Sequence, residues 1–170
     1  MKKKIEFILL TALFTMGLSF QMINAQTHPE FPAAKPSLNG LETSDYKKLK
    51  IGIEQLNEAA KRMGLTEERL RTRYELRLRQ NGLEPVPVDD QKTEFVYIVL
   101  HVVGRAFHTK VEFGRPVVFS SGKNLYTTSG KTWFRSETGT HGDDPEFIIQ
   151  GLDSMFDEFL NEYLKANSKR

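Results

Sequence analysis

Three histidines are the residues of this sequence best suited to metal or acid–base chemistry. His101 and His108 lie in a mostly apolar segment, and His141 lies in the stretch SETGTHGDDPEF, residues 136–147. Imidazole nitrogens coordinate zinc and exchange protons near neutral pH. One functional hypothesis is therefore a metalloprotein or metal-dependent hydrolase that uses His101, His108 and His141, provided that the three side chains converge.

The alternative for His101 and His108 is that they are two ordinary histidines on the less buried face of the sheet. The stretch around His141 has a structural explanation in all but His141 and Thr140. Pro145 suits the first position of a helix, which makes Asp144 its cap, and Gly139 and Gly142 let the chain turn, so helix initiation explains most of residues 136–147. No serine or threonine stands out as a nucleophile, and the sequence contains no hydrolase motif such as G-x-S-x-G or H-E-x-x-H. The sequence therefore favours a binding protein over an enzyme, and we expect no cofactor.

Arginines spaced four residues apart form a second candidate site. Arg69, Arg73 and Arg77 lie on one face of a predicted helix, where they could bind a phosphate, a lipid head group or an acidic glycan. Glutamates such as Glu68 and Glu75 are interleaved with them, so a solvated helix face with internal ion pairs is the alternative.

A third candidate consists of aromatic side chains near the end of the predicted sheet. Trp133, with Tyr126 and Phe134, could form a platform for a sugar or a peptide. Trp133 is flanked two residues away by Lys131 and Arg135, a pattern compatible with a solvent-facing ring. Packing in the core is the alternative for all three aromatics.

A β-hairpin must position the first histidine pair. If Gly104 and Arg105 form a type II′ turn, Val103 faces Ala106 and the pairing continues outward from there. One face of the hairpin then holds the pairs Val96/Phe113, Ile98/Val111, Leu100/Thr109 and Val102/Phe107, and the other holds Tyr97/Glu112, Val99/Lys110 and His101/His108. The second face, around Tyr97, His101, His108 and Lys110, is the predicted ligand surface.

The remaining elements follow from periodicity and capping residues. The sequence predicts a strand at 49–53, a short helix after Asn57, a helix after Thr66, a loop at 83–93, a bulge near Gly114, strands at 117–119 and 125–135, and a helix from Pro145. The order β-α-β-β-β-α predicts an α+β fold with two layers, a mostly antiparallel sheet and two helices packed on one face.

The first 25 residues have the pattern of a secretory signal peptide. Three lysines precede an apolar run, and cleavage is expected after Ala25, which predicts a secreted or periplasmic protein. Residues 26–44 are predicted to be a flexible leader and residues 45–170 a single domain. A retained membrane anchor is the alternative, but we expect no stable membrane insertion after cleavage.

Charge and composition narrow the classes of partner. The chain has 24 Lys and Arg and 22 Asp and Glu; removing the three lysines and one glutamate of residues 1–25 leaves 21 of each. A neutral protein without cysteine predicts neither nucleic-acid binding nor disulfides. The expected partner is an envelope protein, an anionic glycan or a lipid head group, and an exposed sheet edge could also pair with a partner's sheet. The oligomeric state stays open.

Three stretches carry a resemblance to a known group of proteins. LTEERLRTRYELRLRQNGLEP, YIVLHVVGRAFHTKVEF and TGTHGDDPEFIIQGLDSMFDEFLNEYLKAN resemble small secreted bacterial proteins with one α/β domain. The resemblance covers about residues 48–167 and implies an extracytoplasmic domain without known catalytic residues. At the level of fold alone, the first strand and helix are also similar to envelope-assembly domains of the curli-secretion and penicillin-binding-protein-activator type.

Overall fold

Five strands and three helices build the part of the chain that the computed structural model describes, residues 40–87 and 94–168. In chain order they are β1 (Lys48–Ile53), α1 (Glu58–Arg62), α2 (Glu67–Gln80), β2 (Glu84–Val86), β3 (Phe95–Val103), β4 (Ala106–Ser121), β5 (Asn124–Thr140) and α3 (Pro145–Asn167). These elements belong to the second of two units in the chain, residues 37–170. The predicted signal peptide and most of the predicted leader lie outside the described residues.

The strands form one sheet in the order β2-β1-β3-β4-β5. The short pairings of β1 with β2 and β3 are parallel, and the long pairings β3–β4 and β4–β5 are antiparallel. The three helices pack on one face around an apolar core that contains Ile51, Leu70, Phe113 and Phe156. The α+β fold with two layers is confirmed, with one short helix in addition to the two long ones.

The β3–β4 hairpin has the predicted register. Val103 pairs with Ala106 and His101 with His108. Gly104 has a φ of 58°, and Arg105 is not among the residues with positive φ, as a type II′ turn requires. All eight residues predicted for the inward face are buried. A slip by one residue would have moved this apolar set to the opposite face.

The helices begin at the predicted caps. The Asn57 side chain accepts a hydrogen bond from the backbone N–H of Ala60, Thr66 accepts from Arg69, and Asp144 accepts from Glu146. Each cap satisfies one of the backbone donors that a helix leaves unpaired at its start. Pro145, at the first position of α3, lacks such a donor and fits there.

Two sheet predictions were wrong in extent. The loop predicted at 83–93 begins with the edge strand β2, where Pro85 is tolerated because an edge strand has one side without ladder bonds. The strand predicted at 125–135 continues to Thr140, so the first five residues of the stretch 136–147 are β5 rather than a loop. The long β4 strand supplies partners for them, as in the pair Ala106↔Thr140.

The last residues of the predicted leader pack against the domain. Leu41 is fully buried, and Asn167 near the end of α3 donates to its carbonyl at 3.0 Å and accepts from the N–H of Thr43 at 3.0 Å. The backbone at 40–43 therefore has partners in the fold, which a composition rich in proline just before it did not reveal. Leu41 and Thr43, which were predicted to belong to the flexible leader, thus pack against the domain predicted to start at residue 45.

Candidate functional site

The face of the sheet that points away from the helices, here called the outer face, carries the predicted ligand surface. It is formed by alternate residues of β3, β4 and β5: Phe95, Tyr97, Val99, His101, His108, Lys110, Glu112, Gly114, Lys131, Phe134, Ser136 and Thr138. One row across three strands reads Tyr97, Glu112, Phe134, and the Phe134 ring is 61 % exposed. The outer face thus combines aromatic rings with charged groups.

Glu112 is the centre of the charged groups on this face. Its side chain is only 4 % exposed, with Lys110 paired to one carboxylate oxygen and Lys131 2.6 Å from the other. Burial opposes ionisation, but hydrogen bonds and charge from both lysines outweigh burial and hold the pKa of Glu112 below its ordinary value. Two ammonium groups around one carboxylate leave the cluster with an excess of one positive charge.

Tyr97 lies flat against β1 because residue 52 has no side chain. A Cβ built on Gly52 would come within 2.6 Å of the Tyr97 ring. Burial raises the pKa of Tyr97, and the carboxylates of Glu54 and Glu112 raise it further. Tyr97 therefore stays a neutral hydrogen-bonding ring at physiological pH.

The paired histidines turn away from each other. His101 reaches towards β1, where its Nε2 lies 3.5 Å from a carboxylate oxygen of Glu54. His108 reaches towards β5, where its Nδ1 is 3.0 Å from the hydroxyl of Thr138. The predicted cross-strand pairing is confirmed, and each ring has its own polar neighbour on a different strand.

His141 fixes the loop before α3 to the β3–β4 turn. Its Nδ1 accepts from the N–H of Asp143 at 3.0 Å, so the protonated Nε2 donates to the carbonyl of Gly104, also at 3.0 Å. Asp143 has a φ of 65°, next to Gly142 at 55°, in a turn closed by the Asp144 N–H and the His141 carbonyl. Both ring nitrogens are used for structure, and the side chain is buried.

The structure does not bring the three histidines together as metal ligands. Within residues 40–87 and 94–168, no group of three His, Asp or Glu side chains could hold a metal ion. His101 and His108 lie on the outer face, whereas His141 is turned into the end of the sheet. A metal site built on His101, His108 and His141 requires the three side chains to converge, and they do not.

The arginine stripe of α2 is engaged with α3. Arg69 pairs with Glu146, Arg73 makes a forked pair with Asp153 (Nε to Oδ1, 2.8 Å), and Arg77 contacts Asp153 at 2.9 Å and also Asp157. The hydrogen bond to Asp153 raises the pKa of Arg73. The geometry supports the self-paired alternative, except that the main partners lie on the neighbouring helix. The stripe joins two helices and has no guanidinium left unpaired for a ligand.

Trp133 lies on the helix side of the sheet, in agreement with packing in the core and not with the solvent-facing ring that its spacing from Lys131 and Arg135 allowed. It is 7 % exposed, contacts the Phe159 ring and donates from Nε1 to Glu162 at 2.9 Å. A β-bulge interrupts the alternation next to it: Thr132 and Trp133 together face Phe113, because Lys131 pairs with Gly114 and Phe134 with Glu112. Tyr126, predicted beside Trp133 and Phe134, lies farther along β5 and stacks on Phe119.

Sequence reasoning missed Lys131 as a member of the outer face. Strict alternation places residues 131, 133 and 135 on one face, but the bulge moves Lys131 to the opposite face from Trp133 and Arg135. The bulge was predicted near Gly114 on β4, and the extra residue is on β5. Gly130, next to Lys131, was the available signal, since a glycine inside a strand often marks a bulge.

Comparisons with known proteins identify no family. No protein-family model and no curated protein matches the sequence. A solved structure of a minor lipoprotein from Acinetobacter baumannii aligns with 73 % of this chain and 92 % of that chain, at 12 % identity and a TM-score of 0.24. A likeness of that size carries no argument about fold or function.

None of the helices within residues 40–87 and 94–168 is both long and apolar enough to cross a bilayer.

Proposed function

We propose that this protein is a non-enzymatic binding module of the bacterial envelope, exported by the predicted signal peptide, with its ligand site on the outer face. The observation that carries the proposal is the row Tyr97, Glu112, Phe134 with Lys110 and Lys131 beside it. It lies on a sheet face that none of the three described helices covers. Aromatic rings and ammonium groups side by side suit a ligand with apolar ring faces and negative groups.

An anionic glycan is the ligand class that this surface fits best. The exposed ring of Phe134 can stack on a sugar ring, and the lysine–glutamate cluster retains one positive charge that a sulfate or carboxylate can neutralise. Lys131 is 60 % exposed, so its ammonium has donors free for a ligand besides the one used by Glu112. The arginines of α2 are paired already and do not contribute.

Retention on immobilised heparin tests this proposal with a matched control. The chain lacking residues 1–25 should be retained at low salt and released as salt screens the charges. Replacing both outer-face lysines, Lys110→Gln and Lys131→Gln, should abolish retention, and Phe134→Ala should weaken it several-fold. Lys61→Gln, which removes one lysine charge from the helix layer, should leave retention unchanged. Passage of the unmodified chain through the column at low salt would refute the glycan proposal.

A further inference from the structure

The outer halves of β4 and β5 extend past the rest of the sheet as a two-stranded ribbon, defined here as residues 115–130. The last pair between β3 and β4 is Phe95↔Gly114, and beyond it β4 pairs only with β5 among the described residues. Four large apolar side chains of the ribbon are exposed: Val118 (64 %), Phe119 (50 %), Leu125 (65 %) and Tyr126 (46 %). Apolar surface gathered in this way on a soluble domain marks an interaction site.

Apolar side chains occupy both faces of the ribbon. Phe119 pairs with Tyr126, and their rings stack on one face with centroids 5.4 Å apart. Val118 and Leu125 are offset from these by one residue and therefore point to the other face. A partner with a flat surface would cover only one of the two faces. Another strand added at the edge of the ribbon extends both faces at once.

The edge of β5 offers backbone groups for such a strand. Gly122 and Lys123 form a two-residue loop, so Ser121 and Asn124 exchange backbone hydrogen bonds and the bonded pairs then alternate. The N–H and C=O groups of Leu125, Thr127 and Ser129 consequently point away from β4. From Asn124 to Gly130 the strand has no charged residue, which would otherwise deter edge pairing.

The other edge of the ribbon is less suited to pairing. On β4, Pro116 lacks an N–H, and Arg115 adds a charge. Along β5, pairing also has a natural end at the bulge formed by Thr132 and Trp133, because a bulge interrupts the regular ladder. The favourable edge is therefore confined to residues 124–130.

We propose that two copies of this chain associate through these edges, antiparallel, about a twofold axis at Tyr126. In this register Leu125 faces Thr127 of the second copy, and both residues have outward backbone groups, so the required hydrogen bonds can form. The two Tyr126 side chains meet on one face between the two Phe119 rings. The result is a four-stranded sheet across the two ribbons.

A second copy is the occupant because the strand is complementary to itself in this register. A twofold interface requires one patch to be complementary to itself. When residues 124–130 pair with the same residues of a second copy, no like charges are brought together. The aromatic pair formed by the two Tyr126 side chains stabilises such a contact. This dimer does not involve the outer-face residues of the proposed glycan site.

The mass of the chain in solution tests the dimer. Light scattering after size exclusion, on the chain lacking residues 1–25 and over a range of concentrations, should give twice the chain mass. Thr127→Pro should give a monomer, because it removes an outward N–H and leaves the β4–β5 ladder intact. Thr127→Val keeps that N–H and should stay dimeric.

A side-chain variant keeps the test informative if the proline variant fails to fold. Tyr126→Lys changes an exposed residue and places two like charges at the twofold axis, so it should also give a monomer with unchanged circular dichroism. The proposal is overturned if the unmodified chain is monomeric throughout the concentration range, or if Tyr126→Lys remains dimeric. Heparin retention by these variants tests the glycan site separately, since a monomer retains its outer face.

Discussion

Glu112 shows how neighbouring side chains decide the role of a single residue. An isolated carboxylate with 4 % exposure would be costly to keep charged, yet two lysines, one on each side, make the charged form favourable. His141 shows the opposite outcome, because both nitrogens of a residue type suited to catalysis are used by backbone groups. The sequence shows which residue types are present, and the contacts determine which side chains remain available for a ligand or for chemistry.

The lysine–glutamate cluster predicts a pH-dependent stability. Because folding lowers the pKa of Glu112, its contribution is present above the ordinary value of 4.5 and is lost as the pH falls through the lower folded pKa. Glu112→Gln should reduce the free energy of unfolding by about 1–3 kcal/mol at neutral pH. The difference from the unmodified protein should shrink as the pH falls below 4.5.

Urea unfolding at neutral and acidic pH measures this difference. Glu58→Gln is a suitable control, because Glu58 forms an exposed pair with Lys61 and should change stability by only a few tenths of a kcal/mol. If Glu112→Gln lowers the free energy of unfolding by the same amount at both pH values, the prediction is contradicted.

At the scale of elements, α2 and α3 are joined by charge as well as by apolar packing. The buried face of α2 contributes Leu70, Tyr74 and Leu78 to the core, and Tyr74 contacts Phe156 of α3 with ring centroids 4.6 Å apart. Beside this contact, Asp153 forms ion pairs with two arginines of α2. A carboxylate that is 9 % exposed and holds two cations should matter more than a surface pair.

Asp153→Asn tests the link between the two helices. The change leaves Arg73 and Arg77 without their shared carboxylate and should lower the free energy of unfolding by about 1–3 kcal/mol. Glu75→Gln, which removes an i,i+4 partner of Arg79 within α2, should cost about 0.5 kcal/mol or less. Equal effects of the two substitutions in urea unfolding would show that the link contributes no more than a surface pair.

Local signals in the sequence predicted most elements, and tertiary context decided the rest. Asn57, Thr66 and Asp144 mark helix starts because a cap needs only its own next residues. The strand β2 and the continuation of β5 to Thr140 depend on partners elsewhere in the chain, β1 and β4, which periodicity does not reveal. The bulge at Thr132 belongs to the same class and explains why Lys131 lies on the opposite face from Trp133.

At the scale of the whole molecule, the two faces of the sheet have different roles: one packs against the helices and the other carries the proposed ligand surface. The helix side takes up the apolar residues, Trp133 and the paired arginines, which all have structural contacts there. The outer face keeps Tyr97, His101, His108 and Lys110 together, as the hairpin register predicted. The ligand itself could not be predicted, because a ligand site on a sheet face has no fixed sequence spacing.

Mapping a ligand onto the two faces tests the central claim most directly. Two-dimensional NMR spectra of the chain lacking residues 1–25, titrated with a short heparin oligosaccharide, should show shifts concentrated at Tyr97, Lys110, Lys131 and Phe134. The amides of α2 around Arg69 and Arg73 should move little. Shifts concentrated on α2, or no shifts at all, would contradict a glycan-binding outer face.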